Sequence, residues 1–529
     1  MPDSNSSLRS IKNDFLQNST YLNPFYPHNS NNLDWLSIIS KKEASYPIEN
    51  RKILHDVLQK QHPNPTAKQA VHLDKLLDSK TFTLTTGHQL VLGTGPLFSI
   101  YKTLTIIHQA AKLQQEFPNY HFIPLFWMAS EDHDWAEANH CYPEPNQKFV
   151  WPGETKGPVG RRLIQAEEVK LLEDPLLSWL QPFYLPGITW EQAFRDLMQS
   201  LWGESGLLIL NADDPIAKTK MWPLLEAEKN QGKLSDILKQ GTDRLAEHYP
   251  IQANVRELNF FWLTDKERIP IKIKEQNWIT IQDDIISQEY FTPENAHHFS
   301  PAALTRPLYQ ELLLPNIAYS GGWGELSYWV QLSSAFEYFK LPFPALLPRI
   351  SLTVLPENIY DDFIRLGFLP EDIFKVRTEL EDHMLNNQWS EETYIDSIHQ
   401  LSQVLNQFPL LIEAVEASLL RTFEGERIRF QQFMEDTLRK KIRKQLKNKF
   451  KKILSPIEKL KDFLEPEAGL QERVLNIRAI SSNPHQVVNW LLTQSTFNEN
   501  YVLIPKEVSE HISTPTDSSD LPANSKLPA

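Results

Sequence analysis

The chain has 529 residues, 41% of them hydrophobic, which is room for two or three domains and a large buried core. A net charge of -14 and a pI near 5.6 argue against general nucleic-acid or anionic-membrane binding, which needs an electropositive face, and favour small-molecule substrates. One cysteine, Cys141, excludes an internal disulfide and a thiolate-rich metal cage; the polar start and the absence of an 18-residue apolar run predict a cytoplasmic protein without membrane contact.

Residues 1–80 read as helical and aromatic-rich, with Phe15, Tyr21, Phe25, Tyr26 and Trp35 ahead of an amphipathic stretch from Ile53 to Leu77, and carry no evident chemistry. Thr81 to Thr86 alternates as a strand, and a Gly-rich loop follows. Glycine is scarce, 17 in the whole chain, yet Gly87, Gly93 and Gly95 cluster here and Gly321, Gly322 and Gly324 cluster later. Such concentration marks two special loops, read as two walls of one site. Pro96 suits the first helical position with Thr94 or Gly95 near the cap, and Leu97, Ile100, Tyr101, Leu104 and Ile107 recur at helical spacing. A helix start fed by a Gly-rich turn offers free N–H groups to a phosphate or carboxylate. Thr86, Gly87, His88, Gln89, Thr94, Gly95 and Lys102 are therefore candidate anion- or substrate-binding residues; the alternative is a tight turn whose glycines serve packing only.

His121 to Ala129 is a nearly continuous apolar run of the kind buried on both faces of a parallel sheet, completing a βαβ unit. It ends in Glu131, Asp132, His133 and Asp134, on the side where open α/β sheets bind ligands. This is read as a catalytic or substrate-binding acid cluster. His133, Glu137 and His140 at helical spacing offer a metal site as the alternative. Residues 143–205 look like an insertion. A third strand, Gly206 to Leu210, leads to Asp213 and Asp214; Asp214 is either a ligand or a helix cap before Pro215, leaving Asp213 the freer carboxylate. Leu224 to Tyr249 reads as one charged helix, Leu258 to Ile273 as a hairpin turning at 264–268, and His297 and His298 as surface residues. The second Gly cluster repeats strand, loop and helix, with Glu325 in the first helical turn either matching the dipole or binding an amine.

The predicted organisation is a Rossmann-like α/β core over 1–375 with insertions near 143–205 and 265–310, a helical coiled coil over 376–465, a segment returning to the core over 466–510, and a disordered tail over 511–529. Ile412, Val415, Leu419 and Phe423, then Leu446, Phe450, Ile453, Ile457 and Leu460, recur three or four apart. The nine basic residues between Arg439 and Lys452 read as a solvated helix face paired with acids, and Pro456 as a kink or an end.

Thr86-Gly87-His88-Gln89 with Thr94 to Phe98 and Tyr101-Lys102, Phe126-Trp127 with Glu131 to Asp134 and Asn139-His140, Arg306 to Gln310, Gly321-Gly322 with Gly324-Glu325 and Tyr328-Trp329, Pro348-Arg349 and Gln471-Glu472-Arg473 together resemble the bacillithiol biosynthesis cysteine-adding enzyme family. The matches run in order from about residue 80 to 476. The resemblance implies a parallel-sheet core of the nucleotidylyltransferase and class I aminoacyl-tRNA synthetase type, connecting-peptide insertions, and a coiled coil that makes a homodimer. It implies joining of the cysteine carboxyl group to the amine of glucosaminyl malate. ATP enters only by analogy of fold, and the cofactor stays open. Within that reading the first Gly-rich loop holds malate carboxylates or a nucleotide phosphate. Glu131, Asp132 and Asp134 bind the ammonium of cysteine or take the proton of the attacking amine, and His133 shuttles it. His88 stands where family members often carry Gln, Trp323 where they carry Pro, and Gly93 where Phe is common. Two alternatives from other classes are an inactive Rossmann-type scaffold and a metal-dependent hydrolase.

Overall fold

The computed structural model describes residues 8–230, 232–386, 389–494 and 501–509; the tail over 511–529 lies outside the described residues. The chain forms two compact units, the first reaching to Val354 and taking in Gln471–Val502, the second formed mainly by Leu355–Leu470.

The first unit is organised by a parallel sheet, as the sequence predicts, with five strands, the last of which the sequence reading did not mark. Its strands in chain order are β1 (Thr81–His88), β2 (His121–Met128), β3 (Leu208–Asn211), β4 (Asn316–Gly321) and β5 (Ala345–Pro348), arranged β5-β4-β1-β2-β3. β1 runs beside β2 from Thr81↔His121 to His88↔Met128. On its other side it pairs with β4, Thr85 opposite Tyr319. The chain thus grows outward from β1 to β3, then returns to β4 on the opposite flank. That reversal opens a crevice beyond the carboxyl ends of β1 and β4, where such sheets bind ligands. Both Gly-rich loops emerge there.

The helix after β1, α1, spans Leu97–Glu116, and most of its first half is buried against the sheet. The helix after β4, α2, spans Trp323–Val330 with Gly322 as its cap. N-terminal helices brace the sheet: Gln61 clamps both backbone groups of Asn211, and His62 Nε2 accepts from the Ile209 amide. Buried Lys42 pairs with Glu311 at 2.8 Å. The hairpin read at 258–273 is present as Phe260–Leu263 paired with Arg268–Lys274, in a four-stranded antiparallel sheet that also holds Asn277–Thr280 and Phe299–Pro301.

Three local readings are corrected. The single charged helix at 224–249 is two, Trp222–Lys229 and Lys233–Ala246, separated where Gly232 takes a left-handed φ of 69°. His297 and His298 are half-buried rather than free on the surface, and His298 stacks on Trp262 with ring centres 5.4 Å apart. In the second, helical unit, Lys451–Leu464 runs on through Pro456, and the break falls instead at Phe450. There the basic run meets acids of neighbouring helices: Arg439 and Arg443 reach Glu391, Arg443 also Asp382, and Lys447 Glu381.

Candidate active site

A cavity of about 690 Å³ occupies the crevice, lined from both Gly-rich loops, the end of β2 and the small antiparallel sheet. Gly87 is required there by close approach: a Cβ would stand 2.8 Å from the Trp127 carbonyl oxygen. Its own carbonyl accepts from Lys102 Nζ at 3.0 Å, and the same Nζ lies 2.5 Å from Glu325 Oε1. Tyr319 donates to the other Glu325 oxygen at 2.7 Å. Burial alone would raise the Glu325 pKa, but the Lys102 charge and the Tyr319 hydroxyl outweigh it and hold it low. His88 packs on Phe98, and burial beside Lys102 pushes its pKa down to about 3. The imidazole is therefore neutral, with Nε2 unpartnered among the described residues.

The acid cluster divides into three environments. Asp132 and Glu137 share Gln89, whose Nε2 donates to them at 3.1 and 2.7 Å. Burial opposes ionisation of Asp132, but hydrogen bonds from His133 and Gln89 and the charge of Arg268 hold its pKa at about 2. Glu137 moves the other way, raised by burial and by the nearby charges of Asp134 and Asp132. Glu131 faces the cavity yet is tied from behind by Lys218, which also binds Asp213 at 2.9 Å. Arg161 forks onto Asp213 at 2.7 and 2.9 Å. Asp213 is thus a buried ion-pair partner rather than the free carboxylate read from the sequence. Asp214 caps Pro215–Lys218 by accepting from the amides of Ile216 and Ala217, and that short helix delivers Lys218 to the acids. Asp134 is an exposed cap, accepting from the Glu137 amide, and does not line the cavity.

Part of the expected anion loop is closed. Thr86 is buried in the sheet and donates to the Ser320 carbonyl. Gly93, Thr94 and Gly95 all take positive φ, and their turn is filled by Asn476, whose side-chain amide donates to the carbonyls of Gly93 and Gly95. The first α1 amide, on Leu97, donates to Leu475 at 2.8 Å. Thr94 and Gly95 therefore stand apart from the cavity, whereas Gly87, His88, Gln89, Phe98 and Lys102 line it. Of the second loop, Glu325 lines the cavity; Gly321 ends β4, Gly322 caps α2 and Gly324 lies in its first turn, and none of the three lines the cavity.

Residues 3–350 match the family described as "Bacillithiol biosynthesis BshC, N-terminal Rossmann-like domain", and residues 352–497 match "Bacillithiol biosynthesis BshC, C-terminal coiled-coil domain". The chain belongs to the BshC family. Similar proteins include one from Cytophaga hutchinsonii, 30% identical over 92% of this chain and 94% of its own. One from Flavobacterium psychrophilum is 32% identical over 82% and 84%, and one from a Geobacillus species 27% identical over 84% and 87%. Each is named "Putative cysteine ligase BshC".

In this BshC family member the sequence reading missed the cationic residues of the cavity: Arg256, Arg268 and Arg306. Arg306 lay in a quoted motif, but nothing local in the sequence marks Arg256 or Arg268. The residues considered for a metal do not converge. His133 faces Asp132 and Arg268, His140 Nδ1 bonds the Ala136 carbonyl, and among the described residues no three His, Cys, Asp or Glu side chains form a metal-ligand cluster.

Proposed function

We propose that this protein is a ligase that joins the carboxyl group of cysteine to the amine of glucosaminyl malate, giving bacillithiol. The observation that carries the reading is that the switch-point cavity presents both charges, carboxylates in Asp132 and Glu137, bridged by Gln89, and guanidinium groups in Arg256, Arg268 and Arg306. A substrate that bears both an amine and carboxylates needs both. The names of the relatives supply the reaction class.

In the reaction a bond forms between the cysteine carboxyl carbon and the amine nitrogen, the ammonium gives up two of its three protons, and one carboxylate oxygen leaves with them as water, or on a phosphate where ATP is the co-substrate. Asp132, ionised at all physiological pH, anchors the ammonium but is too weak a base to deprotonate it. Glu137, with its raised pKa, is the better proton acceptor, because a base works best when its pKa approaches the operating pH. Lys102, neutralised by Glu325, fixes the geometry between the two loops. The protein acts in the cytoplasm on this reading; no described helix is long and apolar enough to cross a membrane. It works as a homodimer through the helical unit, whose exposed apolar side chains include Leu410, Leu411 and Val415.

The test incubates purified protein with cysteine and glucosaminyl malate, with and without ATP, and follows product by mass spectrometry. Bacillithiol should form in at least one arm, and a gene deletion should accumulate glucosaminyl malate. No product in either arm together with normal bacillithiol in the deletion strain rejects the proposal.

A further inference from the structure

The carboxylates around the cavity are already engaged: Glu325 by Lys102, Glu131 by Lys218, Asp132 by Gln89 and Arg268, and Glu137 by Gln89. Two cavity guanidinium groups are left over. Arg306 donates from Nη1 to Gln310 at 3.0 Å and lies beside the Tyr328 hydroxyl, but its Nη2 is shielded from solvent and has no acceptor in hydrogen-bond geometry among the described residues. Its guanidinium is held 5.5 Å from the centre of the Tyr319 ring and 5.9 Å from that of Trp127. Arg256 is exposed and rests on the Phe261 ring at 4.8 Å, the same ring that Arg268 covers at 4.0 Å. Arg268 is consumed by Ser300, the Pro301 carbonyl and Asp132. The Arg256 guanidinium has no hydrogen-bond partner among the described residues. Two cations over one ring repel each other, and a shielded guanidinium N–H without an acceptor forfeits a strong hydrogen bond. Both penalties vanish when an anion enters.

We infer that Arg306 and Arg256 are the specificity-determining anchors for two carboxylates of a dicarboxylate ligand, which on the ligase reading is the malyl end of the sugar substrate. The planar guanidinium fork matches a carboxylate, and aromatic stacking holds each fork in place before the ligand arrives. The first α1 amide, expected to take the anion, donates to Leu475, and Asn476 fills the turn before it, so the anchor falls to the arginines of the cavity. The dicarboxylate class rests on the arginines alone; only the identity of the sugar conjugate rests on the ligase reading.

The experiment titrates the wild-type protein calorimetrically with L-malate, succinate and ATP, then repeats this for Arg306→Gln, Arg306→Lys and Arg256→Gln. In parallel, KM is measured for glucosaminyl malate and for cysteine. Dicarboxylate affinity should fall tenfold or more in each Gln variant. The KM for glucosaminyl malate should rise by a similar factor, while that for cysteine stays within twofold. Arg306→Lys should recover charge but not the fork, and lie between. Arg256 is exposed, so its variant tests the proposal even where Arg306→Gln fails to fold. Unchanged malate affinity in Arg256→Gln, or loss of ATP affinity in place of malate affinity, overturns the inference. Arginine-dependent malate binding by a protein that makes no bacillithiol would instead leave it standing and reject the ligase reading.

Discussion

Lys102 Nζ and Glu325 Oε1 lie 2.5 Å apart, although 223 positions separate them in the chain, and their contact ties α1 to α2 across the mouth of the β1–β4 crevice. Lys102 is almost fully buried, and Glu325 keeps about a quarter of its side-chain exposure. Lys102→Met leaves a largely buried carboxylate without its cation. That should cost about 3 kcal/mol, the lower end for a broken buried pair because Glu325 retains some solvent. Adding Glu325→Gln should return part of the loss, since the stranded charge is removed. Urea denaturation of the two single variants and the double variant reads this directly. A Lys102→Met cost below about 1 kcal/mol would show that the pair does not couple the loops.

Four carboxylates near the ends of β2 and β3 should separate by role. Asp134 and Asp214 serve as caps, and Asn caps about as well as Asp, so Asp134→Asn and Asp214→Asn should keep turnover within about twofold. Glu137→Gln removes the proposed base and should lower kcat roughly a hundredfold, the usual scale of a general-base contribution. Asp132→Asn removes the ammonium anchor and should act mainly through a raised KM for the amine substrate. Conversion assays beside melting temperatures test all four variants. A near-wild-type kcat in Glu137→Gln together with an unchanged KM in Asp132→Asn places the chemistry elsewhere.

The parallel sheet was legible because β2, buried along both faces, writes a nearly continuous apolar run into the sequence, and β1 beside it alternates threonine with apolar residues. The two loops were legible because a glycine-poor chain concentrates its glycines there. What fills those loops was not. The α1 start is closed by Leu475 and Asn476, nearly 380 positions away, and no local pattern announces a carbonyl arriving from such a distance. The misreading of Asp213 has the same origin: a carboxylate after a strand looks free until Arg161 and Lys218 are folded onto it. Arg268 sat in a run of charges that reads as an ordinary solvated turn, and only the packing of the small sheet turns it toward Asp132.

Acid should weaken the first unit through His62. Its Nδ1 donates to the Leu58 carbonyl and its Nε2 accepts from the Ile209 amide, an arrangement that only the neutral ring satisfies. Burial pushes its pKa down to about 4, against about 6.5 for a free histidine. The unfolded chain therefore binds a proton that the folded chain refuses. The stabilisation is complete above pH 6.5, shrinks as pH falls, and is lost through pH 4, amounting to about 3 kcal/mol. His72, likewise pushed down to about 4 by burial, adds in the same direction. Denaturation at pH 7, 6 and 5 should show falling stability, with a shallower slope in His62→Gln. Equal slopes would remove His62 as the cause.

The helical unit should supply the dimer contact. Leu410, Leu411, Val415 and Leu419 are 75%, 64%, 83% and 51% exposed, an apolar run that the described part of their own unit leaves uncovered. Burying one such side chain against a second copy contributes about 1.5–3 kcal/mol, so two or three of them decide between monomer and dimer at micromolar concentration. Leu411→Glu with Val415→Glu should therefore give a monomer in sedimentation velocity where the wild-type protein is a dimer. Its melting temperature at low concentration should be unchanged, because neither residue is packed in the folded chain. Lys441→Glu, on the exposed basic face, serves as a charge control and should remain a dimer. A wild-type monomer under the same conditions would refute the contact outright, and a dimer that survives the double substitution would move it to another face.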